Sequence, residues 1–243
     1  MSRGGKGFVP YVTAGLEGVD AGLLHEIEDA GADALEVGVP FSDPVMDGGV
    51  IQEASKRALE SGFHVSDAFA LVKEASLSIP VVLMTYLNPI IAHGHRRFLK
   101  DSIDSGVSGF IVPDLPVDEG KDWTAMCASE GLASVYLAAP GTDRQRLEKV
   151  AASSSGFVYC VSTYGVTGQR ESLSETSGQL VAALRPLTER PLLVGVGIST
   201  PGQAEQAGSF SDGVIVGSAL VRPLVEGDRQ GALDAARSFR SAL

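Results

Sequence analysis

The chain has 243 residues, 44% of them hydrophobic and 6% aromatic, with 29 glycines and a formal net charge of −11. An acidic excess of that size excludes a sequence-wide pull on nucleic acid or anionic lipid, while a local pocket for a small anion stays open. Cys127 and Cys160 are too few for a disulfide framework, and no apolar stretch reaches the roughly 18–20 residues that cross a bilayer.

Residues 1–10, MSRGGKGFVP, hold basic residues but no signal-peptide apolar core, so the chain reads as a soluble cytoplasmic protein with reduced thiols. Eight apolar runs rich in β-branched residues follow one another at 7–13, 32–39, 81–86, 109–114, 134–140, 157–162, 191–197 and 213–218. Segments of helical period separate them, at 20–30, 50–61, 66–76, 95–105, 118–130, 143–152, 174–187, 201–207 and 228–242. In the first of these Leu23, Leu24, Ile27 and Ala30 share a face, and Gly31 closes the helix. Eightfold strand–helix alternation predicts parallel strands joined by crossover helices. Eight units in this length, with no linker and no G-x-G-x-x-G at the first turn, favour one domain, 1–243, folded as a (β/α)8 barrel.

In such a barrel the chemistry sits at the C-terminal ends of the strands and in the loops beyond them. The second run contains a carboxylate in an unusual place. Leu35, Val37 and Val39 share one face and Ala34, Glu36 and Gly38 the other, so the bulky set faces the helices and Glu36 faces the barrel interior. A carboxyl buried there either pairs with a cation or has a raised pKa suited to proton transfer near neutrality. No strand carries Lys or Arg, which weighs against the cation. The loop PFSDPVMDGG (40–49) adds Asp43, which reads as a turn former, and Asp47, which a mobile loop could close over the mouth.

In the sixth run Phe157, Tyr159 and Val161 alternate with Val158, Cys160 and Ser162, and pattern alone leaves Tyr159 facing either the interior or the helices. The glycine-bearing segment 163–172 reads as a lid. VGVGIST (194–200) and VIVGSALV (214–221) end the last two runs with glycines, and Ser218 opens a short helix. Backbone N–H groups and a helix N-terminus there form a phosphate cradle or, alternatively, serve tight helix–strand packing. His25, His64, His93 and His95 have no acidic or cysteine partners at ligand spacing and read as surface or capping residues; no metal site is assigned. Trp123 reads as a packing residue.

Several segments together resemble the tryptophan synthase α chain family. They are ALEVGVPFSDPVMDGGVIQEASKRAL (34–59), FVPYVTAG near the start, MTYLNP (84–89), VPDLPVDE (112–119), STYGVTG (162–168), LLVGVGIST (192–200) and DGVIVGSALV (212–221). The resemblance implies retro-aldol cleavage of indole-3-glycerol phosphate to indole and glyceraldehyde 3-phosphate, without metal or organic cofactor. It also implies an α2β2 assembly that passes indole to a pyridoxal phosphate-dependent β chain. A stand-alone lyase that releases indole, and a catalytically poor barrel that activates a β partner, are the competing readings.

By the same resemblance Glu36 is the proton donor to C3 of the indole ring and Asp47 the acceptor of the ring N–H. Tyr159 positions the substrate, and Tyr11 and Tyr86 line the ring pocket. Gly168, Gly197, Gly217 and Ser218 contact the phosphate, and Thr167 closes the lid onto Asp47. Three departures from the family pattern stand out. The helix that usually precedes the first strand is missing or truncated, Gly49 stands where a proline is common, and Thr163 stands where some relatives have arginine.

Overall fold

The computed structural model describes residues 5–162 and 172–243. The near-continuous apolar runs become short strands buried on both faces, as expected for a sheet covered by helices. These are β1 (Gly7–Thr13), β2 (Leu35–Gly38), β3 (Val81–Met84), β4 (Val107–Ile111), β5 (Ala133–Val135), β6 (Leu137–Ala138), β7 (Val158–Val161), β8 (Leu192–Gly195) and β9 (Gly213–Val216). All neighbours pair in parallel, in the order β5-β4-β3-β2-β1-β9-β8-β7-β6. The two ends of that order are consecutive in sequence, so the sheet is a nearly closed barrel. The predicted fifth strand is one stave in two pieces, β5 pairing with β4 and β6 with β7, broken at Tyr136. Across the break the Tyr136 carbonyl accepts the Tyr159 N–H at 3.1 Å, and the Tyr136 hydroxyl donates to the Gly120 carbonyl at 3.0 Å.

The helices are α1 (Ala21–Asp29), α2 (Gly49–Glu60), α3 (Val65–Ala75), α4 (Leu87–His93), α5 (His95–Ser105), α6 (Lys121–Ser129), α7 (Arg144–Ser153), α8 (Ser172–Leu184), α9 (Pro201–Phe210), α10 (Ser218–Val225) and α11 (Arg229–Ser241). Side-chain caps start many of them. Asp20 accepts from the Leu23 N–H, Asp143 from Arg146 and Asp228 from Gly231, each satisfying a donor that the first turn leaves open. Thr200 and Gln203 form a reciprocal capping box ahead of α9, with Pro201 at its first position. The sequence pattern did not give α4, whose Pro89 sits in the first helical turn, where a proline breaks no hydrogen bond.

Side chains fill the barrel interior, chiefly Val9, Val82, Ile111, Val135, Phe157, Tyr159, Val161, Leu193 and Ile215. The opposite parity of each strand packs under the helices: Leu35, Val37 and Val39 on one side of the barrel, Val158, Cys160 and Val194 on the other. At the N-terminal ends of the strands two carboxylates brace the floor. Asp33 accepts from the Phe8 N–H at 2.9 Å and from Arg240 at 3.0 Å. Asp212 takes both arms of Arg185, at 2.7 and 3.0 Å, together with the Leu192 N–H at 2.7 Å. The C-terminal mouth is built differently.

Candidate active site

Glu36 projects from β2 into the barrel, as its alternation with Leu35 and Val37 predicts, and is 1% exposed. Its Oε2 has no hydrogen-bond partner among the described residues, and no cation lies against it there. Burial, followed by the negative charge of Asp47, raises its pKa to about 8. It is therefore a protonated acid at neutral pH.

Asp47 reaches the same space from the loop between β2 and α2. Its N–H donates to the Pro44 carbonyl at 3.0 Å, and its carbonyl accepts from Gln52 Nε2 at 2.8 Å. Burial raises its pKa to about 6, and the Tyr86 hydroxyl, which donates to the carboxylate, limits the rise. The pair thus has two carboxyls in different protonation states near pH 7, the arrangement that separates an acid from an anion. Asp43, by contrast, is exposed and bonded to Ser42 at 2.6 Å, in keeping with a turn role.

Tyr86 holds this loop in place. Its hydroxyl accepts from the Met46 N–H at 3.0 Å, and its ring lies 5.1 Å from that of Phe41. Tyr159 faces the interior with Phe157 and Val161, which resolves the alternative that sequence pattern left open. It does so because Val158 and Cys160 take up the helix-facing positions. The Tyr159 hydroxyl is close to Gly195, where a Cβ would sit 2.3 Å from that oxygen. Tyr11 uses Gly38 in the same way, a Cβ there falling 1.9 Å from its hydroxyl oxygen. The two glycines make room for buried tyrosines, a function the sequence reading did not give them. The signal was available as a glycine on the interior parity of a strand, beside one carrying an inward tyrosine.

At the ends of β8 and β9 the backbone turns sharply. Val196 and Gly197 both have positive φ, 68° and 85°, and the Ser162 hydroxyl donates to the Val196 carbonyl. A β-branched residue in that region is strained, so the turn is over-determined by its surroundings. Gly217 caps the N-terminus of α10, and Ser218 is its first residue, so free N–H groups and the positive end of the helix face the mouth. Gly197, Gly217 and Ser218 thus lie just beyond the C-terminal ends of the neighbouring strands β8 and β9, where a helix N-terminus has the chemistry to hold an anion. Thr163, Thr167 and Gly168 lie outside the described residues.

One reading of the histidines needs correcting. His93, expected at the surface or in a cap, has a side chain only 13% exposed and lies 2.7 Å from Asp101. Its ring meets those of Phe69 and Phe98 at 5.6 and 5.9 Å. Helix α4 ends at Gly94, which turns His93 back onto α5, a contact that sequence spacing does not reveal. Trp123 is buried against Phe98 and Phe110, as expected of a packing residue. Among the described residues no group of three or more His, Cys, Asp or Glu has metal-binding geometry, and no helix is long and apolar enough to cross a membrane.

Comparison with known proteins shows the family. The family model for the tryptophan synthase alpha chain matches residues 1–241. This chain belongs to the tryptophan synthase alpha chain family. It is 41% identical to the tryptophan synthase alpha chain of Streptomyces avermitilis, an alignment covering 100% of this chain and 89% of the relative. It is 45% identical to that of Carboxydothermus hydrogenoformans, covering 90% and 84%. Among solved structures, Mycobacterium tuberculosis tryptophan synthase superposes with a TM-score of 0.90 at 34% identity, covering 98% of this chain and 92% of that one. The alpha chain from Legionella pneumophila superposes at 0.87, with 34% identity over 98% and 91%.

Proposed function

We propose that the chain is the indole-3-glycerol phosphate lyase of tryptophan biosynthesis, the α chain of a two-chain synthase. It forms one domain over residues 1–243 and works in the cytoplasm. The reaction is a retro-aldol cleavage of the bond between indole C3 and the first carbon of the glyceryl arm. Glu36, protonated at neutral pH, delivers its proton to C3, which becomes tetrahedral and leaves a positive charge spread onto the ring nitrogen. Asp47, an anion above about pH 6, accepts the ring N–H and stabilises that charge. The C3–C1′ bond then breaks, its electron pair restoring the indole ring. The C1′ hydroxyl loses its proton as it becomes the aldehyde of glyceraldehyde 3-phosphate, and that proton returns to the Glu36 carboxylate.

The remaining residues hold the substrate. Tyr159 orients the glyceryl arm near Glu36, and Tyr11 and Tyr86 flank the ring. Gly197, Gly217 and Ser218 take the phosphate, joined by Gly168, while Thr167 closes towards Asp47. No step calls for a metal or an organic cofactor, because an interior acid and a loop anion supply the proton and the charge stabilisation.

The partner is a β chain in an α2β2 assembly, and an apolar rim supports this. Val45, Met46 and Ile91, on the loop after β2 and on α4, are 78%, 44% and 53% exposed beside the site. Apolar side chains gathered at the mouth suit a protein surface that takes up an apolar product.

The observation that carries the proposal is Glu36: buried, inward, without a counter-ion among the described residues, and facing Asp47. The test is cleavage of indole-3-glycerol phosphate by the purified chain and by Glu36→Gln, each with and without added β chain. Cleavage that β chain accelerates strongly, and that Glu36→Gln abolishes, is expected. High unassisted turnover would favour a stand-alone lyase, and unchanged cleavage by Glu36→Gln would overturn the mechanism.

A further inference from the structure

At the interior ends of β1 and β2, three residues beside Glu36 (Tyr11, Thr13 and Gly38) have a placement that proton transfer does not explain. Tyr11 pairs in register with Glu36, and Thr13 pairs with Gly38, so all four face the same cavity. Tyr11 is 4% exposed, and its ring leans across Gly38, the one interior position of β2 with no side chain in the way. The Thr13 hydroxyl, fully buried, donates to the Tyr11 oxygen at 3.3 Å. That bond uses the acceptor side of the phenol and leaves its own proton to donate. The base of the same ring lies against Gly217, whose Cβ position is 3.7 Å from Tyr11 Cβ and Cδ1. Tyr11 therefore spans the interval between Glu36 and the helix end that offers backbone donors to an anion. A phenyl ring would fill that wedge equally well, so packing alone does not require the hydroxyl.

We propose that Tyr11 is a specificity residue: its hydroxyl, aimed by Thr13 and seated over Gly38, donates a hydrogen bond to the hydroxylated carbon arm between the ring and phosphate ends of the substrate. This rests on the lyase reading above, and deepens it by naming what distinguishes the glyceryl arm from an unsubstituted one. A Tyr phenol has one donor, and an alcohol oxygen of the arm is the acceptor that this interval of the substrate offers. Burial, with Asp47 and Glu36 close by, holds the phenol well above its usual pKa, so the donor is present throughout the working range.

The test compares two probes on wild type, Tyr11→Phe and Thr13→Val. One is indole-3-glycerol phosphate, read as kcat/KM. The other is its dideoxy analogue, with both arm hydroxyls replaced by hydrogen, read as an inhibition constant. Tyr11→Phe is expected to lower kcat/KM about five- to tenfold, the worth of one hydrogen bond, while the analogue binds within about twofold of wild type. Thr13→Val should act in the same direction and less. Loss of affinity for both probes in equal measure would mean that Tyr11 only packs, and an unchanged kcat/KM would mean that its hydroxyl is idle; either result overturns the proposal. A wild-type chain that fails to cleave the substrate would instead bring down the lyase reading itself.

Discussion

The two ends of the barrel treat their carboxylates in opposite ways, half-buried at the floor and more deeply enclosed at the mouth. At the floor, Asp33 and Asp212 each have an arginine and a backbone N–H. Burial pushes the Asp212 carboxyl upward, but the Arg185 and Leu192 bonds outweigh it and hold the group below the usual carboxylate range. At the mouth, Glu36 and Asp47 have each other and no cation among the described residues, and both pKa values rise. The difference is one of placement. A charge at the end of a strand can be met by an arginine on a neighbouring helix, whereas a charge inside the ring of strands can be met only by another strand residue, a loop or a ligand. The floor uses its acids to hold the fold together, and the mouth keeps its acids reactive.

The sharpest way to break this comparison is Glu36→Gln. It should lower turnover by about a thousandfold or more, the usual scale for losing a general acid, with substrate binding nearly intact. Asp47→Asn removes the anion that meets the ring nitrogen, and about a hundredfold loss in kcat is expected. The pH–rate profile of wild type should be bell-shaped, rising through about 6 as Asp47 ionises and falling through about 8 as Glu36 loses its proton. A profile flat between pH 5 and 9 would mean that the pair is not the acid and the anion assigned here.

Stability should respond with opposite signs at the two ends. Glu36 has a raised folded pKa, so its contribution is fully present below the unfolded value and is lost as pH climbs through about 8. Glu36→Gln should therefore stabilise the fold at pH 9, by about 1–3 kcal/mol in urea titration, and do little at pH 5. Asp212 has a lowered folded pKa, so its contribution is present at neutral pH and is lost as pH falls through the folded value. Asp212→Asn should cost about 1–2 kcal/mol at pH 7 and less under acid. The smallest effect belongs to the strained turn, where Val196→Gly relieves a positive φ and should raise stability by about 1 kcal/mol.

Much of the fold was legible because repetition is a strong signal. Eight apolar runs with helices between them have few solutions, and each run overlaps an observed stave. Glu36 was legible because its neighbours on β2 separate cleanly into bulky and non-bulky parities. Tyr159 was not, since both parities of β7 are apolar and only the helices above decide which set turns inward. The break at Tyr136 was hidden for a similar reason: after Ser134 the run to 140 has no polar break, and its interruption depends on Ser154, whose hydroxyl accepts the Tyr136 N–H at 3.2 Å. The pairing of His93 with Asp101 depends on how α4 and α5 fold back at Gly94, which no local pattern encodes. Gly38 and Gly195 carried information in the sequence as empty positions beside inward tyrosines, a pattern visible only once strand register is known.

The interrupted stave has a mechanical consequence. Everywhere else around the circumference a strand bonds to neighbours on both sides, but β5 bonds only to β4 and β6 only to β7. The ring is therefore sewn shut by a two-residue strand and the hinge beside it. When the cylinder opens transiently, that seam should part first. Its amides, from Ala133 to Ala138, should then exchange with deuterium ahead of those in β1 and β9.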